Sequence, residues 1–440
     1  MATNLRQTTP QLSALEILPT RLEADQSRVV LRPFHLGWQA KSAPGERVTK
    51  LLKNILSLDD YTVRREYASV IKDFGERHWQ TENLFLARFE ELADSLDLDT
   101  SEMSRERQLL IGAYFCHEYT YSAAALMNPS IVPHPDQTGM TGDAERFVLS
   151  MRAVGEGHIS SIAFREGIVQ PDGQFDLWPE TSFATAIEEY ECDVGPDCVG
   201  ARRDADSTLS NTVIFPITEQ QRNGLEDLRL VRFDHGDGDF EWIGTYTAYS
   251  GSSIRSELLR TRDFRSFTLG PVHGAAGRDK GMALFPEKVN GRYRMIGRQD
   301  GKNLYLLSSD SIDTWEGEGA LLMEPAYPWE FIQIGNCGSP IKTDEGWLLL
   351  THGVGPMRKY SLGCALLDLD DPSRVVARTP RPLLTAVDDD RHGYVPNVVY
   401  SCGFYLTNGG VLLVPYGISD SAIGFGRIEL SALFDQLQRV

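Results

Sequence analysis

Between residues 46 and 127 apolar side chains recur at helical spacing. Val48, Leu51, Leu52 and Ile55 make one stripe, and Val63, Tyr67, Val70, Ile71 and Phe74 a second. Leu84, Phe85, Phe89, Leu92 and Leu96 make a third, and Ser101 ahead of Glu102 predicts a capped start for a last segment over residues 105–127. The spacing predicts four helices. After Asn128 and Pro129 the period shortens to runs of β-branched and aromatic residues between Gly, Asp and Asn turns, as in residues 239–243 and 291–296.

Turn-then-strand units recur at residues 291–296, 346–351 and 410–415, with a second strand after the first two at 303–308 and 361–367. Multi-strand repeats at such steps are the mark of propeller blades, which protect their sheet edges by radial repetition. Residues 128–440 fit five blades. The expectation is a mainly β protein, a five-bladed β-propeller over 128–440 preceded by an α-helical region over 1–127. A tandem of β-sandwiches competes but leaves the repeated step unexplained. Residues 261–267 and 308–315 resemble the S-x-D-x-x-x-W turn of sugar-handling propellers, a structural feature rather than a catalytic one.

Composition narrows the classes. With 41% hydrophobic and 24% charged residues in 440, the chain reads as a folded protein with a sizeable core. Its formal charge of -19 argues against nucleic acid as a partner, so an anionic ligand would need a local cluster of cations set against the global field. The first 18 residues show no basic segment followed by an apolar run, and no stretch is apolar enough for a membrane span, so a cytoplasmic protein without membrane contact is expected. Six scattered cysteines without a C-x-x-C pair read as thiols; Cys192 and Cys198, the one close pair, lack the His or Cys partners of a metal site. No Walker loop, dinucleotide fingerprint, zinc signature or nucleophile elbow occurs, and neither metal nor cofactor is implied.

Polar clusters beside inner strands are the natural place for a propeller's ligand site. Gly224-Leu-Glu-Asp-Leu-Arg-Leu230 puts two carboxylates and an arginine ahead of Thr245-Tyr-Thr-Ala-Tyr249. Alone, such a pair is more often a solvated turn. With its surroundings the segment resembles the G-x-E-D-P-R-I motif of glycoside hydrolase family 130, the β-mannoside phosphorylases. Further matches follow in the family's order: residues 280–288, 335–340, His352-Gly-Val354, 362–370, 394–400 and Tyr416-Gly-Ile-Ser-Asp420, with 128–136 and 149–161 upstream as the first blade. The resemblance covers the chain from residue 128 onward. Leu228 departs from the usual Pro, and Gly297-Arg298-Gln299 from a common His-Arg-Pro.

The resemblance implies inverting phosphorolysis of β-mannosides, β-1,2-linked manno-oligosaccharides foremost, with inorganic phosphate as co-substrate and mannose 1-phosphate as product. Asp227 would be the acid, relaying its proton through a mannose hydroxyl, and its pKa should be raised by burial or by Glu226. Lys280, Arg298 and His352, with Arg152 and Arg229, would form the cationic phosphate pocket. Expected sugar contacts are Glu226, Asn128, His158, Tyr246, Tyr394 and Asp420; for the tyrosines, and for Tyr249 and Trp329, core packing is the competing reading. A β-1,2-mannosidase of the same family and a non-catalytic sugar-binding propeller stay open as alternatives, as do the oligomeric state and the role of the helical region.

Overall fold

The structure is a computed structural model that describes residues 14–34, 45–179, 183–190, 195, 197–387 and 390–440. The chain forms two compact units. One comprises residues 26–121 and 181–186, the other residues 1–25, 122–180 and 187–440.

The smaller unit carries the four helices that the apolar stripes predict: α1 (Glu46–Leu56), α2 (Asp60–Phe74), α3 (Thr81–Leu96) and α4 (Arg105–Tyr114). Their buried faces meet through Val48, Leu52, Ile55, Val63, Phe89, Leu92 and Ile111. Asp59 caps α2, its carboxylate accepting from the Thr62 N–H at 2.8 Å. Helix α4 packs so closely on α3 that a Cβ on Gly112 would meet the Phe85 carbonyl oxygen at 1.8 Å. Two local expectations fail here. The cap of α4 is Ser104 rather than Ser101, and the helix stops at Tyr114 instead of running to 127. Cys116–Thr120 becomes a strand antiparallel to Val29–Pro33, which itself runs parallel to the start of Phe183–Ala186. Aromatic and β-branched residues at 115–121 favour extended backbone once a partner strand is present.

The larger unit is the expected propeller, five blades each built on four antiparallel strands. Blade I is Ala125–Pro133, Glu145–Val154, Ser160–Val169 and Phe175–Leu177. Blade II is Gly224–Asp234, Phe240–Tyr249, Ile254–Thr261 and Ser266–Pro271. Blade III is Ala283–Leu284, Tyr293–Gly297, Leu304–Ser309 and Ala320–Met323. Blade IV opens with Gln333–Asn336 and Ile341–Thr343, followed by Gly346–Val354, Tyr360–Leu367 and Val375–Arg378. Blade V opens with Val399–Tyr400 and Tyr405–Leu406, followed by Val411–Ile418 and Ala422–Glu429. The three repeat units seen in the sequence are the second strands of blades III, IV and V. Both S-x-D-like turns follow third strands; in one, the Trp315 indole is buried and donates to the Ile312 carbonyl at 2.8 Å.

Blade V takes its outermost strand from the other end of the chain. Glu16–Glu23 pairs antiparallel with Ala422–Glu429, and Leu15 joins a core of Leu348, Leu362, Leu412 and Val414. The ring also closes through main-chain bonds between blades I and V, from Cys402 N to Pro129 O at 2.8 Å and from Leu126 N to Ser421 O at 3.3 Å. The division expected at residue 127 therefore differs from the one the contacts define: residues 14–25 belong with the propeller. A lone terminal strand has no local signal that says which distant edge it will cover.

Candidate active site

Each blade sends its innermost strand down the central channel, and one mouth of that channel holds a cavity of about 190 Å³. That volume takes a compact polar group or the reacting end of a longer ligand. Blade I contributes Asn128 and Arg152; blade II Glu226, Asp227 and Arg229; blade III Lys280 and Arg298; blade IV Asn336, His352, Arg358 and Tyr360; and blade V Tyr400 and Asp420.

Two innermost strands reach the cavity through a register break. In blade I it falls between Met127 and Ser130, in blade II between Glu226 and Arg229. Inside these breaks Asn128 and Asp227 adopt left-handed backbone, with φ of 51° and 58°. Asn and Asp tolerate that conformation better than other side-chain-bearing residues, and such bulges re-aim side chains. Leu228 needs none of the missing proline's stiffness: it is buried, its side chain lying over Gly244.

Hydrogen bonds join the blades around Asp227. Asn128 Nδ2 donates to Asp227 Oδ1 at 2.6 Å. Arg152 donates from Nη2 to Glu226 Oε1 at 2.6 Å, from Nη1 to Asp227 Oδ1 at 3.3 Å and from Nε to Ser160 Oγ at 2.9 Å. Arg229, 2% exposed, donates from Nη1 to the Asp227 carbonyl at 2.9 Å, from Nε to Asn336 Oδ1 at 3.2 Å and from Nη2 to the Tyr400 hydroxyl. Arg229 is thus a strut between blades II, IV and V, with most of its donors already used. Lys280, Arg298 and Arg358 make no side-chain hydrogen bond or ion pair with other described residues, and they remain available to an anion.

The electrostatics depart from the expectation in two places. Burial pushes Asp227 upward, but Arg152, Arg229, the Asn128 amide and Lys280 outweigh it and hold the carboxyl below its ordinary value. The expected raised pKa belongs instead to Glu226, where burial outweighs Arg152 and the charge of Asp227 adds to the rise. Asp420 is pushed up to about 6 by burial and by Asp227, against the pull of Arg152 and Arg358. His352 was expected as a cation, yet burial and then Arg298 and Arg229 lower its pKa well below the imidazole range, so it is neutral.

Three expected site residues do not line the cavity. Tyr246 is a core residue of blade II, fully buried, its hydroxyl donating to Glu257 and accepting from Gln221 Nε2 at 2.9 Å. A second-strand aromatic has the same pattern whether it faces the core or a ligand. His158 and Tyr394 are exposed and stack on each other, ring centroids 5.9 Å apart. Of the other aromatics, Trp329 donates to the Pro380 carbonyl at 3.3 Å and packs over Gly353 and Gly363. Arg358, Asn336, Tyr360 and Tyr400 were missed. Internal repetition would have found Arg358: its turn, Gly355–Lys359, closes with the same main-chain bond as the Gly155–Ile159 turn that carries His158. Cys192 lies outside the described residues, and no group of three His, Cys, Asp or Glu among them could hold a metal ion.

Two buried acceptors at the cavity, Asn128 Oδ1 and His352 Nε2, find no donor among the described residues. Five basic side chains, three carboxyls and two waiting acceptors fit an anion beside a polyhydroxylated ligand. Such a lining defines a class of polar-ligand site at the mouth of a propeller.

Comparison with known proteins narrows that class. Residues 205–439 match the family described as beta-1,4-mannooligosaccharide phosphorylase, glycoside hydrolase family 130. A 1,2-beta-oligomannan phosphorylase of Thermoanaerobacter sp. (strain X514) is 32% identical over 263 residues, 58% of this chain and 83% of that one. A beta-1,2-mannobiose phosphorylase of the same organism is 35% identical over 214 residues, 48% of this chain and 68% of that one. The solved beta-1,2-mannobiose phosphorylase from Listeria innocua, in complex with beta-1,2-mannobiose, superposes with a TM-score of 0.50 at 21% identity, covering 71% of this chain and 92% of that one, and shares the fold. The chain belongs to glycoside hydrolase family 130 and is an enzyme of the glycoside phosphorylase type.

Proposed function

We propose that this enzyme carries out inverting phosphorolysis of β-mannosides, with β-1,2-linked manno-oligosaccharides as its substrates and mannose 1-phosphate as a product. The observation that carries the reading is the set of unpartnered cations, Lys280, Arg298 and Arg358, lining one cavity with Asp227. A hydrolase needs a second carboxylate, free to activate water, whereas a phosphorylase needs a cationic pocket that aims a ready-made nucleophile. Here Glu226 is held by Arg152 in a 2.6 Å ion pair, so it is not free to take up and activate a water. The two relatives named above are described as phosphorylases of 1,2-linked mannosides, which supports the linkage.

In the reaction a phosphate oxygen attacks the anomeric carbon from the face opposite the leaving oxygen. The glycosidic C–O bond breaks, and the leaving oxygen takes a proton that originates on Asp227 and passes through a mannose hydroxyl. Starting from the phosphate dianion, mannose 1-phosphate forms still holding its P–O–H hydrogen, and that proton returns to the Asp227 carboxylate as the product ionises. Held by the cations around it, Asp227 is too strong an acid to keep a proton at neutral pH. Phosphate neutralises Lys280, one of the cations that lower its pKa, and bound sugar excludes water, so both substrates raise it toward a working value. Asn128, with its free Oδ1, and Asp420 are placed to bind sugar hydroxyls.

The test is direct: incubate β-1,2-mannobiose with and without inorganic phosphate. Phosphate-dependent mannose 1-phosphate is the expected product. Free mannose at an undiminished rate without phosphate would turn the reading to the hydrolase, and no turnover with substrate bound would turn it to a sugar-binding propeller. Buried, unbridged thiols at Cys337, Cys364 and Cys402 suit a reducing compartment and support a place in the cytoplasm.

A further inference from the structure

The ring of His352 has almost no freedom. It is 2% exposed on the second strand of blade IV, stacked on Tyr360 at 5.8 Å and tilted against Tyr400 at 4.7 Å. The space it fills exists because residue 335 is glycine: a Cβ there would lie 2.5 Å from Nε2. Nδ1 stands 3.2 Å from the Asn336 carbonyl oxygen. A carbonyl only accepts, so Nδ1 carries the hydrogen, and in the neutral ring Nε2 is left as a bare lone pair. The opposite tautomer would set two lone pairs against each other. Nε2 is nevertheless buried with no hydrogen-bond donor, on a residue that lines the cavity.

An acceptor is out of place in an ordinary anion pocket, since phosphate and sulfate present oxygens that mostly accept. Cations alone would bind any tetrahedral dianion of that size. Near neutral pH, however, inorganic phosphate keeps at least one P–O–H hydrogen, and sulfate keeps none. We propose that His352 Nε2 accepts the P–O–H hydrogen of inorganic phosphate and is the residue by which the cavity selects phosphate over fully deprotonated dianions. This inference rests on the phosphorolytic reading of the site. The bond also fixes the rotation of the bound phosphate: its protonated oxygen faces His352, and its bare oxygens are left for Lys280, Arg298 and Arg358 and for attack on the sugar. A site built to pair with a hydrogen rejects the analogue that lacks it, because the buried acceptor then faces another lone pair.

The experiment uses the wild-type enzyme and calorimetric titration at neutral pH with inorganic phosphate, sulfate and monofluorophosphate, the last a dianion of similar shape without the hydrogen. Phosphate should bind about 5- to 100-fold more tightly than either analogue, equivalent to about 1–3 kcal/mol. In His352→Gln, whose amide can turn a donor toward the anion, that ratio should collapse toward one with sulfate binding retained. Equal affinity of the wild type for all three anions overturns the role of His352 while leaving phosphorolysis standing. Failure of phosphate both to bind and to stimulate turnover overturns both. The wild-type comparison decides even if the variant does not fold.

Discussion

Asn128 and Asp227, 99 residues apart in the chain, meet through a 2.6 Å hydrogen bond, and each is the left-handed residue of a register break in an innermost strand. Two blades thus present equivalent bulges to each other, and the amide of one positions the carboxyl of the other. Strain of this kind persists only where the surroundings over-determine it, and it clusters at working sites.

The first prediction follows from that geometry. Asp227→Asn keeps a residue that tolerates left-handed backbone, so the fold should survive and phosphate should still bind. Turnover should fall on the order of 100- to 10,000-fold, the usual weight of general acid catalysis. Initial rates of mannose 1-phosphate formation, set beside a phosphate titration of the same variant, check it. A rate near wild type would remove Asp227 from the mechanism.

The cations should divide into two kinds. Lys280→Ala, Arg298→Ala and Arg358→Ala each remove a side chain that no described residue hydrogen-bonds or ion-pairs, so melting temperature should hold while phosphate affinity drops on the order of 10- to 100-fold. Arg229→Met removes its bonds to the Asp227 carbonyl, Asn336 Oδ1 and the Tyr400 hydroxyl inside the channel and should destabilise the protein by about 1–3 kcal/mol. Thermal melting and phosphate titration on the four variants separate the groups. The idea fails if Lys280→Ala and Arg229→Met behave alike in both measurements.

Asp420 carries a pH signature. Its folded pKa of about 6 lies above the ordinary 3.8, so the fold disfavours the ionised form. The contribution of Asp420 to stability should therefore fall as pH rises from about 3.8 to about 6, with the loss complete above that window. Asp420→Asn cannot ionise and should melt higher than wild type at neutral pH and equally near pH 3. Melting curves across that range would refute the assignment if the gap stayed constant.

The strand Glu16–Glu23 should prove necessary to the propeller. Deleting residues 1–24 leaves the edge of Ala422–Glu429 unpaired and removes Leu15 and Leu18 from the core. Exposed edges of that kind invite association between chains. The shortened protein should melt well below the full chain and elute as aggregates on size exclusion. A monomer of unchanged stability would show that the ring does not depend on this closure.

What the sequence by itself determined was whatever local pattern can carry. The apolar stripes between residues 46 and 96 marked the first three helices, and the repeated turn-strand units marked the second strands of three blades. The run Gly224–Leu230, with Lys280, Arg298 and His352 downstream, brought to notice side chains that line one cavity, because each adjoins an inner or second strand. Tertiary structure decided the rest, since it depends on groups far apart in the chain. Helix α4 ends at Tyr114 because Cys116–Thr120 finds a strand partner in Val29–Pro33, and residues 14–25 join the last blade because that is where an open edge lies. Tyr246 turned inward to Glu257, while Arg358 arrived at the cavity from a turn with no chemical motif. The protonation states were the least legible. Asp227 sits below the usual carboxylate range and His352 is neutral because Arg152, Arg229 and Arg298, from three blades, converge on a buried channel mouth where charges act on one another through little water.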